Sequence, residues 1–128
     1  MILGIGFDLI EVARIAKQVD SDSRFKEKMF SAAEIEYCES FRVNKAQHYA
    51  ARFAAKEAFF KALGTGYRGG LAFNEITIIN DDLGKPTIRL SGKTEDYARQ
   101  NQFGEIYVSL SHLRELAGAV VIIEAKQN

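Results

Sequence analysis

One carboxylate in this sequence, Glu57, stands at a position where an ordinary helix would be apolar. At 100° per residue, Phe53, Glu57 and Phe60 fall within one narrow sector of the helix predicted around them. An unpaired carboxylate buried there would be strongly destabilising, or its pKa would rise until it became neutral. Three partners could prevent this: Lys61 one turn further on, a cation from elsewhere in the fold, or a bound metal ion.

A second carboxylate, Asp8, follows a short apolar run at the start of the chain. Glu11 comes three residues later, which is the spacing of a capping box, so the sequence predicts a helix that begins at Asp8. Capping and metal binding are compatible, because one oxygen can cap while the other binds a cation. Magnesium favours sites of one or two protein carboxylates that water and substrate phosphates complete. Asp8 and Glu57 are therefore candidate magnesium ligands.

Basic residues and glycines surround Glu57 in the sequence. The same helix carries Arg52, Lys56 and Lys61, and the segment 64–70 after it is rich in glycine. Cations, a metal ion and exposed backbone amides together suit a diphosphate. The segment has neither the Walker spacing nor a Rossmann G-x-G-x-x-G, so it is weak evidence by itself. His112 is a further candidate, although a lone histidine at a strand end is more often a surface residue.

Helices are predicted mainly in the first half of the chain and strands in the second. The predicted helices start at Asp8, start at Ser31, span 44–63 with Gly64 as the C-cap, and span about 93–100. The predicted strands are 2–7, 76–79, 87–90, 106–110 and 117–123, with a turn over 80–86. This order predicts an α+β fold with one long helix in the N-terminal half and a mainly antiparallel sheet in the C-terminal half.

Composition bounds the possible functions. A chain of 128 residues with 47% hydrophobic residues fits one domain, 1–128, with its own core. Basic and acidic residues balance at 17 each, so no strong attraction to nucleic acid or to an anionic membrane is expected. Cys38 has no second cysteine with which to pair, and the sequence has neither a signal peptide nor an apolar run of ~20 residues. We expect a soluble, cytoplasmic protein.

Two long segments resemble the signatures of the holo-acyl-carrier-protein synthases, which are small phosphopantetheinyl transferases. The first is GIGFDLIEVARI at residues 4–15, and the second is RFAAKEAFFKALGTG at residues 52–66. Further similarity to this family lies, in the same order, at residues 70–73, 80–86 and 109–112. The resemblance covers essentially the full chain. Phe7 is a departure from it, because many relatives have threonine before the first aspartate.

The resemblance implies an activity. The enzyme would transfer 4′-phosphopantetheine from coenzyme A, its co-substrate, to a serine of apo-acyl carrier protein, and would release adenosine 3′,5′-bisphosphate. This reaction belongs to fatty acid biosynthesis. The family is typically a homotrimer with active sites between subunits, and its fold is the phosphopantetheinyl transferase fold.

The resemblance also implies roles for single residues. Asp8 and Glu57 would bind Mg²⁺ and, with Lys61, would be the catalytic residues. The serine proton would pass to a metal-bound water that Glu57 orients, or to Glu57 itself. The implied coenzyme A-binding residues are Lys45, Arg52, Lys61, Gly64, Gly66, Lys85, Pro86 and His112.

Acyl carrier proteins are acidic, so the resemblance implies a basic docking surface. The candidates are Arg14 and Lys17 on one side of the first helix and Arg24 beyond it. Lys26 and Lys28 follow in the sequence, but the acidic neighbours nearly cancel these five basic residues in number, so a mixed, solvated surface is an alternative. The acidic neighbours are Glu11, Asp20, Asp22 and Glu27. Two other functions also remain open: a magnesium-dependent nucleotide pyrophosphatase, and a non-catalytic module that binds acidic proteins.

Overall fold

The computed structural model describes residues 1–66 and 70–127, so the centre of the predicted glycine-rich segment lies outside the described residues. The strands are β1 (Ile2–Glu11), β2 (Ile76–Asn80), β3 (Pro86–Leu90), β4 (Phe103–His112) and β5 (Leu116–Ala125). The helices are α1 (Val12–Ser21), α2 (Ser23–Met29), α3 (Ala32–Glu39), α4 (Lys45–Ala62) and α5 (Gly92–Gln100), with a 3₁₀ turn at Phe73–Glu75. The mixed class is confirmed, with helices concentrated before β2 and four strands after α4.

The main sheet combines both ends of the chain. It is antiparallel with the strand order β1-β5-β4, while β2 and β3 form a separate two-stranded hairpin. The predicted sheet of the C-terminal half therefore also contains the N-terminal strand. In its register, Asp8 pairs with Ala119 of β5. Helix α4 packs on this sheet against β1 and β5, and the buried core lies between them.

Small residues allow β1 and α4 to approach closely. A Cβ atom on Gly4 or Gly6 would collide with the carbonyl oxygens of Ala62 and Ala58 respectively. Helix α4 presents alanines there, which favour the helix and add little bulk. The close approach places the next residue on the same face of β1, Asp8, beside the C-terminal half of α4.

One expectation about the N-terminal region is wrong. Asp8 does not begin a helix, because β1 continues to Glu11 and α1 begins at Val12, where Glu11 makes no side-chain cap. Pairing of residues 8–11 with β5 satisfies their backbone groups as strand. Helix α2 was not predicted from the sequence pattern. It follows directly after α1, where the side chain of Asp22 accepts a hydrogen bond from Arg24 N at 2.9 Å.

Other local predictions are confirmed. Ser31 and Glu34 form a reciprocal capping box at the start of α3. Gly64 follows the end of α4 with φ +80°, and its N–H donates to the Lys61 carbonyl at 3.1 Å. None of the helices in the described ranges is long and apolar enough to cross a membrane.

Candidate active site

Asp8 and Lys61 form an ion pair between β1 and α4. Lys61 Nζ lies 3.0 Å from Asp8 Oδ1 and 3.1 Å from the Phe7 carbonyl oxygen. The Asp8 side chain is only 15% exposed, whereas the Lys61 side chain is 55% exposed. Alternation along β1 places the Phe7 side chain on the opposite face, where the residue is 61% exposed. Phe7 therefore contributes its carbonyl group, not its ring, to the surroundings of Asp8.

Glu57 lies half-buried one helical turn before Lys61. Its pKa is raised, first by burial and then by the negative charge of Asp8, while Lys61 and Arg14 act in the opposite direction. The simplest alternative for Glu57 was an ion pair with Lys61. Within the described residues, the ion pair of Lys61 is made with Asp8 instead. The site thus holds two interacting carboxylates and one lysine.

This arrangement suits a divalent cation that also binds a phosphate. In the described part of the chain, no three or more His, Cys, Asp or Glu side chains gather into a metal-binding group. Two carboxylates are nevertheless enough for Mg²⁺ when phosphate oxygens and water supply the other ligands. Because Asp8 raises the pKa of Glu57, a cation between them would relieve a real repulsion. The residues present therefore fit magnesium.

A polar pocket lies between α4, the β2–β3 hairpin and the end of β4, with a volume of about 350 Å³. Four of the predicted coenzyme A-binding residues line it: Arg52, Lys85, Pro86 and His112. Sequence reasoning missed other residues of its wall, among them Tyr37, His48 and Asn80. His48 precedes Arg52 by one helical turn, so helical periodicity could have indicated it. Asn80 had no periodic signal, because a different element brings it to the pocket, but it does begin the family-like segment 80–86.

Arg52 is the most buried cation of this pocket, at 2% exposure. Its Nη2 donates to Asn80 Oδ1 at 2.9 Å, and its guanidinium lies 4.3 Å from the centre of the Tyr37 ring. Its Nε has no hydrogen-bond partner among residues 1–66 and 70–127. A buried donor without an acceptor is destabilising. Because Arg52 lines the pocket, an anionic ligand there would lie beside a buried cation.

His112 is held by a hydrogen bond of 2.8 Å between its Nδ1 and Gln47 Oε1. Since a carbonyl oxygen can only accept, Nδ1 carries the proton and Nε2 is left for another partner. The ring of His48 packs edge-on against His112, at 5.4 Å between centroids, and stacks on Phe41 at 3.8 Å. Burial, with the charges of Arg52 and His112, lowers the pKa of His48 to about 4. His48 is therefore a neutral wall of the pocket at physiological pH.

Three predicted residues lie elsewhere. Lys45 Nζ is paired with Glu39 Oε1 at 3.1 Å, outside the lining of the pocket as described. The pKa of Glu39 is lowered to about 2, chiefly by a hydrogen bond from Tyr49 and then by Lys45 and Lys26. Gly64 and Gly66 follow α4 with positive φ, and a Cβ on either would meet no described atom within 4 Å.

The two groups of site residues lie on opposite sides of α4. Arg52 and Lys61 are nine residues apart, which places them roughly 180° apart around the helix and about 14 Å apart along its axis. Arg52 points to the hairpin, whereas Lys61 points to β1. The cluster of Asp8, Glu57 and Lys61 and the polar pocket therefore do not form one site within a single chain.

The predicted docking residues are exposed on the first two helices. Arg14 and Lys17 project from α1, whose buried side chains are Val12, Ile15 and Val19. Arg24 is exposed on α2, with its Nε 3.7 Å from Asp22. Arg14 is close enough to influence the pKa of Glu57, so this surface adjoins the cluster of Asp8, Glu57 and Lys61.

Comparison with known proteins gives a consistent result. The sequence profile of the 4′-phosphopantetheinyl transferase superfamily matches residues 4–120. A holo-acyl-carrier-protein synthase from a Geobacter species is 46% identical over 126 residues, which cover 97% of this chain and 99% of the relative. One from Ruminiclostridium cellulolyticum is 51% identical over 120 residues, covering 93% and 90%. The crystal structure of such a synthase from Bacillus anthracis, in complex with CoA (3′,5′-ADP), has a TM-score of 0.82 at 35% identity, covering 98% and 99%.

Proposed function

This chain belongs to the 4′-phosphopantetheinyl transferase superfamily, as one of its holo-acyl-carrier-protein synthases, and we propose that Asp8, Glu57 and Lys61 form its catalytic centre. The enzyme transfers 4′-phosphopantetheine from coenzyme A to a serine of apo-acyl carrier protein and releases adenosine 3′,5′-bisphosphate. The observation that carries the proposed centre is the ion pair of Lys61 with Asp8. Next to it lies a second carboxylate, Glu57, whose pKa is raised by burial and then by the charge of Asp8.

The reaction requires charge neutralisation and positioning at phosphorus. Asp8 and Glu57 would bind Mg²⁺, which when bound supplies positive charge to the diphosphate of coenzyme A. Lys61 would donate hydrogen bonds to phosphate oxygens, and its exposed ammonium group can reach outward from Asp8 to do so. The serine oxygen attacks phosphorus while its proton leaves. That proton would pass to a water that Glu57 orients, or to Glu57 itself, whose carboxylate must be ionised to accept it.

The pocket on the other side of α4 would bind the nucleotide end of coenzyme A. Arg52 and His112 would contact the 3′-phosphate, since both line the pocket and His112 Nε2 is left available by Gln47. Lys85 and Pro86 would line the adenine. Lys45 would contact the nucleotide only if its ion pair with Glu39 were broken. Gly64 and Gly66 would give the diphosphate access to backbone amides.

The cluster of Asp8, Glu57 and Lys61 and the polar pocket lie apart within one chain. We therefore propose a homotrimer in which each active site combines this cluster from one subunit with the pocket of its neighbour. The sheet face opposite α4 supports such an assembly. It exposes Ile5, Phe7 and Leu9 at 64%, 61% and 57%, and a depression of about 320 Å³ adjoins Phe7 and Leu9. Apolar exposure of this kind is typical of a subunit interface.

Mixing two variants tests the shared site, at a coenzyme A concentration low enough that neither variant alone is active. Asp8→Asn and Arg52→Met subunits, unfolded together and refolded in equal amounts, should regain about a quarter of wild-type activity, because random assembly pairs an intact Asp8 with an intact Arg52 at that frequency. Each variant refolded alone is the control. A mixture as inactive as its components would contradict active sites shared between subunits.

The activity itself is tested by intact mass spectrometry of apo-acyl carrier protein incubated with the enzyme, coenzyme A and Mg²⁺. We expect the carrier to gain one phosphopantetheine. Cleavage of coenzyme A without gain of mass would instead indicate a nucleotide pyrophosphatase, and no change would indicate a binding module. Omitting Mg²⁺ tests the metal requirement in the same assay.

We further propose that residues 1–128 form one transferase domain and that the enzyme acts in the cytoplasm, in fatty acid biosynthesis. One buried cluster joins residues from β1 to β5, which supports a single core. Cys38 is a free, buried thiol, as suits a reducing compartment.

A further inference from the structure

Lys56 stands beside Glu57 in the sequence but takes no part in the exposed site. Its side chain is fully buried, and its Nζ donates to Glu34 Oε1 at 2.6 Å, to the Phe73 carbonyl at 2.9 Å and to the Ile76 carbonyl at 2.6 Å. Three acceptors require three N–H donors, which only the charged ammonium group provides. This lysine is therefore a buried cation committed to protein partners, not a ligand for a diphosphate.

Glu34, the partner of Lys56, is also fully buried, and both of its carboxylate oxygens accept hydrogen bonds from the protein. Oε1 accepts from Lys56 and from the Ser31 backbone N–H at 3.0 Å, while Oε2 accepts from the Ile78 backbone N–H at 2.9 Å. The carboxylate thus joins the start of α3 to strand β2. With Lys56, it links α3, α4, the 3₁₀ turn and β2 through hydrogen bonds of fixed direction.

The two side chains replace a neighbouring strand at the free edge of β2. Strand β2 pairs with β3 on one side only. The Ile76 carbonyl and the Ile78 N–H both lie on one edge of β2, as groups two residues apart in a strand do. Lys56 supplies the donor for the first and Glu34 the acceptor for the second. An isolated two-stranded hairpin is marginally stable, so these two bonds act together with the burial of Ile76 and Ile78 in the core to hold it.

The hairpin held in this way forms one wall of the polar pocket. Asn80 ends β2, and Lys85 and Pro86 lead into β3, while the facing wall is α4 with Arg52, one turn before Lys56. The Asn80–Arg52 hydrogen bond of 2.9 Å spans the two walls. Any shift of β2 along α4 would change the separation of these groups.

We propose that the buried Glu34–Lys56 pair is a positioning device, which anchors the free edge of β2 to α4 and thereby sets the geometry of the pocket for adenosine 3′,5′-bisphosphate. This rests on the proposed function, in which that pocket binds the nucleotide end of coenzyme A. The pair touches neither substrate nor metal. It acts through Arg52, Asn80, Lys85 and Pro86.

The test uses a paired variant that removes both buried charges, Glu34→Leu with Lys56→Met. An apolar pair can preserve folding where a single substitution would leave an unpaired buried charge. We expect a folded protein in which the Ile78 amide exchanges at least ~10-fold faster, because its acceptor is gone. Calorimetric titration should show affinity for adenosine 3′,5′-bisphosphate reduced ~10-fold, the change expected from displacing one charged contact. Lys26→Met, which breaks a partly exposed ion pair with Glu39 away from the hairpin, should leave both values unchanged.

Each outcome decides the proposal. Unchanged Ile78 exchange in the folded paired variant would overturn the anchor, and unchanged nucleotide affinity would overturn its role at the pocket. If the paired variant does not fold, Glu34→Gln takes its place: weaker nucleotide binding supports the proposal and full affinity overturns it. Arg52→Met separates the two proposals. Full affinity in that variant would mean that the pocket does not bind the nucleotide, while faster Ile78 exchange in the paired variant would still establish the anchor.

Discussion

Lys61 Nζ lies 3.0 Å from Asp8 Oδ1 and so connects the last turn of α4 to β1 across 53 residues of sequence. The pair places the cation that the reaction needs beside the carboxylate that would bind the metal ion. Glu57 lies half-buried one turn away, with its pKa raised by burial and then by the charge of Asp8. The following predictions depend on this cluster, on the pocket across α4 and on the exposed basic residues.

Asp8→Asn and Glu57→Gln should each reduce transfer by at least ~100-fold, since each removes a charged group that would bind the metal ion at the reacting diphosphate. Transfer is measured as mass gained by the carrier protein, and Mn²⁺ binding by electron paramagnetic resonance. Glu36→Gln, an exposed carboxylate on α3, is the matched control. Full activity of either site variant without added metal would refute the proposed centre.

Glu57→Gln should also stabilise the fold in metal-free buffer. The raised pKa means that folded Glu57 keeps its proton to a higher pH than in the unfolded chain. Stability is therefore lost as the pH rises from the ordinary value of 4.5 through the folded pKa. The variant should lack this loss and gain about 2–5 °C in Tm at pH 8. Thermal unfolding followed by circular dichroism at pH 4 and pH 8 measures this, and a lower Tm at pH 8 would contradict it.

Lys61→Met should separate catalysis from metal binding. Loss of the ammonium group should reduce kcat by about 100-fold, because phosphate oxygens lose a charged donor. Mg²⁺ affinity of the free protein should be unchanged or higher, since Asp8 loses a competing cation. Calorimetric titration with Mg²⁺ checks the second effect. Weaker Mg²⁺ binding would show that Lys61 supports the metal site instead of competing with it.

Arg52→Met should weaken binding of adenosine 3′,5′-bisphosphate by about 10–100-fold, because the pocket loses its buried cation. Lys45→Met is the matched comparison. With Lys45 engaged by Glu39, we expect a change below ~3-fold for that variant. Fluorescence or calorimetric titration gives both values. The reverse order of effects would mean that Lys45 leaves Glu39 to bind the nucleotide.

Lys17→Glu combined with Arg24→Glu should raise KM for the carrier protein by about 10-fold and reduce its salt dependence, as expected when exposed charges steer an acidic partner. Affinity for coenzyme A should stay at the wild-type value. Arg14 is left unchanged in this test because its charge also affects Glu57. Equal losses for carrier protein and coenzyme A would contradict the docking surface.

Sequence patterns were sufficient where a structure depends on neighbours in the chain. The capping box of Ser31 and Glu34, the glycine after α4 and the hairpin of β2 and β3 are local, and all were predictable. The start of α1 was not, because Leu9 and Ile10 suit either a strand or a helix. Pairing with β5, more than a hundred residues away, settled it. Asp8 therefore ended on a strand and not at a helix cap.

By itself, the sequence determined the family, most of the secondary-structure elements and the helical spacing that puts Glu57 and Lys61 on one face of α4. Only the tertiary structure decided the partner of each charge. It paired Lys61 with Asp8, buried Lys56 with Glu34 and tied Lys45 to Glu39. The physical reason is that a charge is stabilised by whatever the fold brings within a few ångströms of it, and residues distant in the chain leave no periodic signal of that proximity.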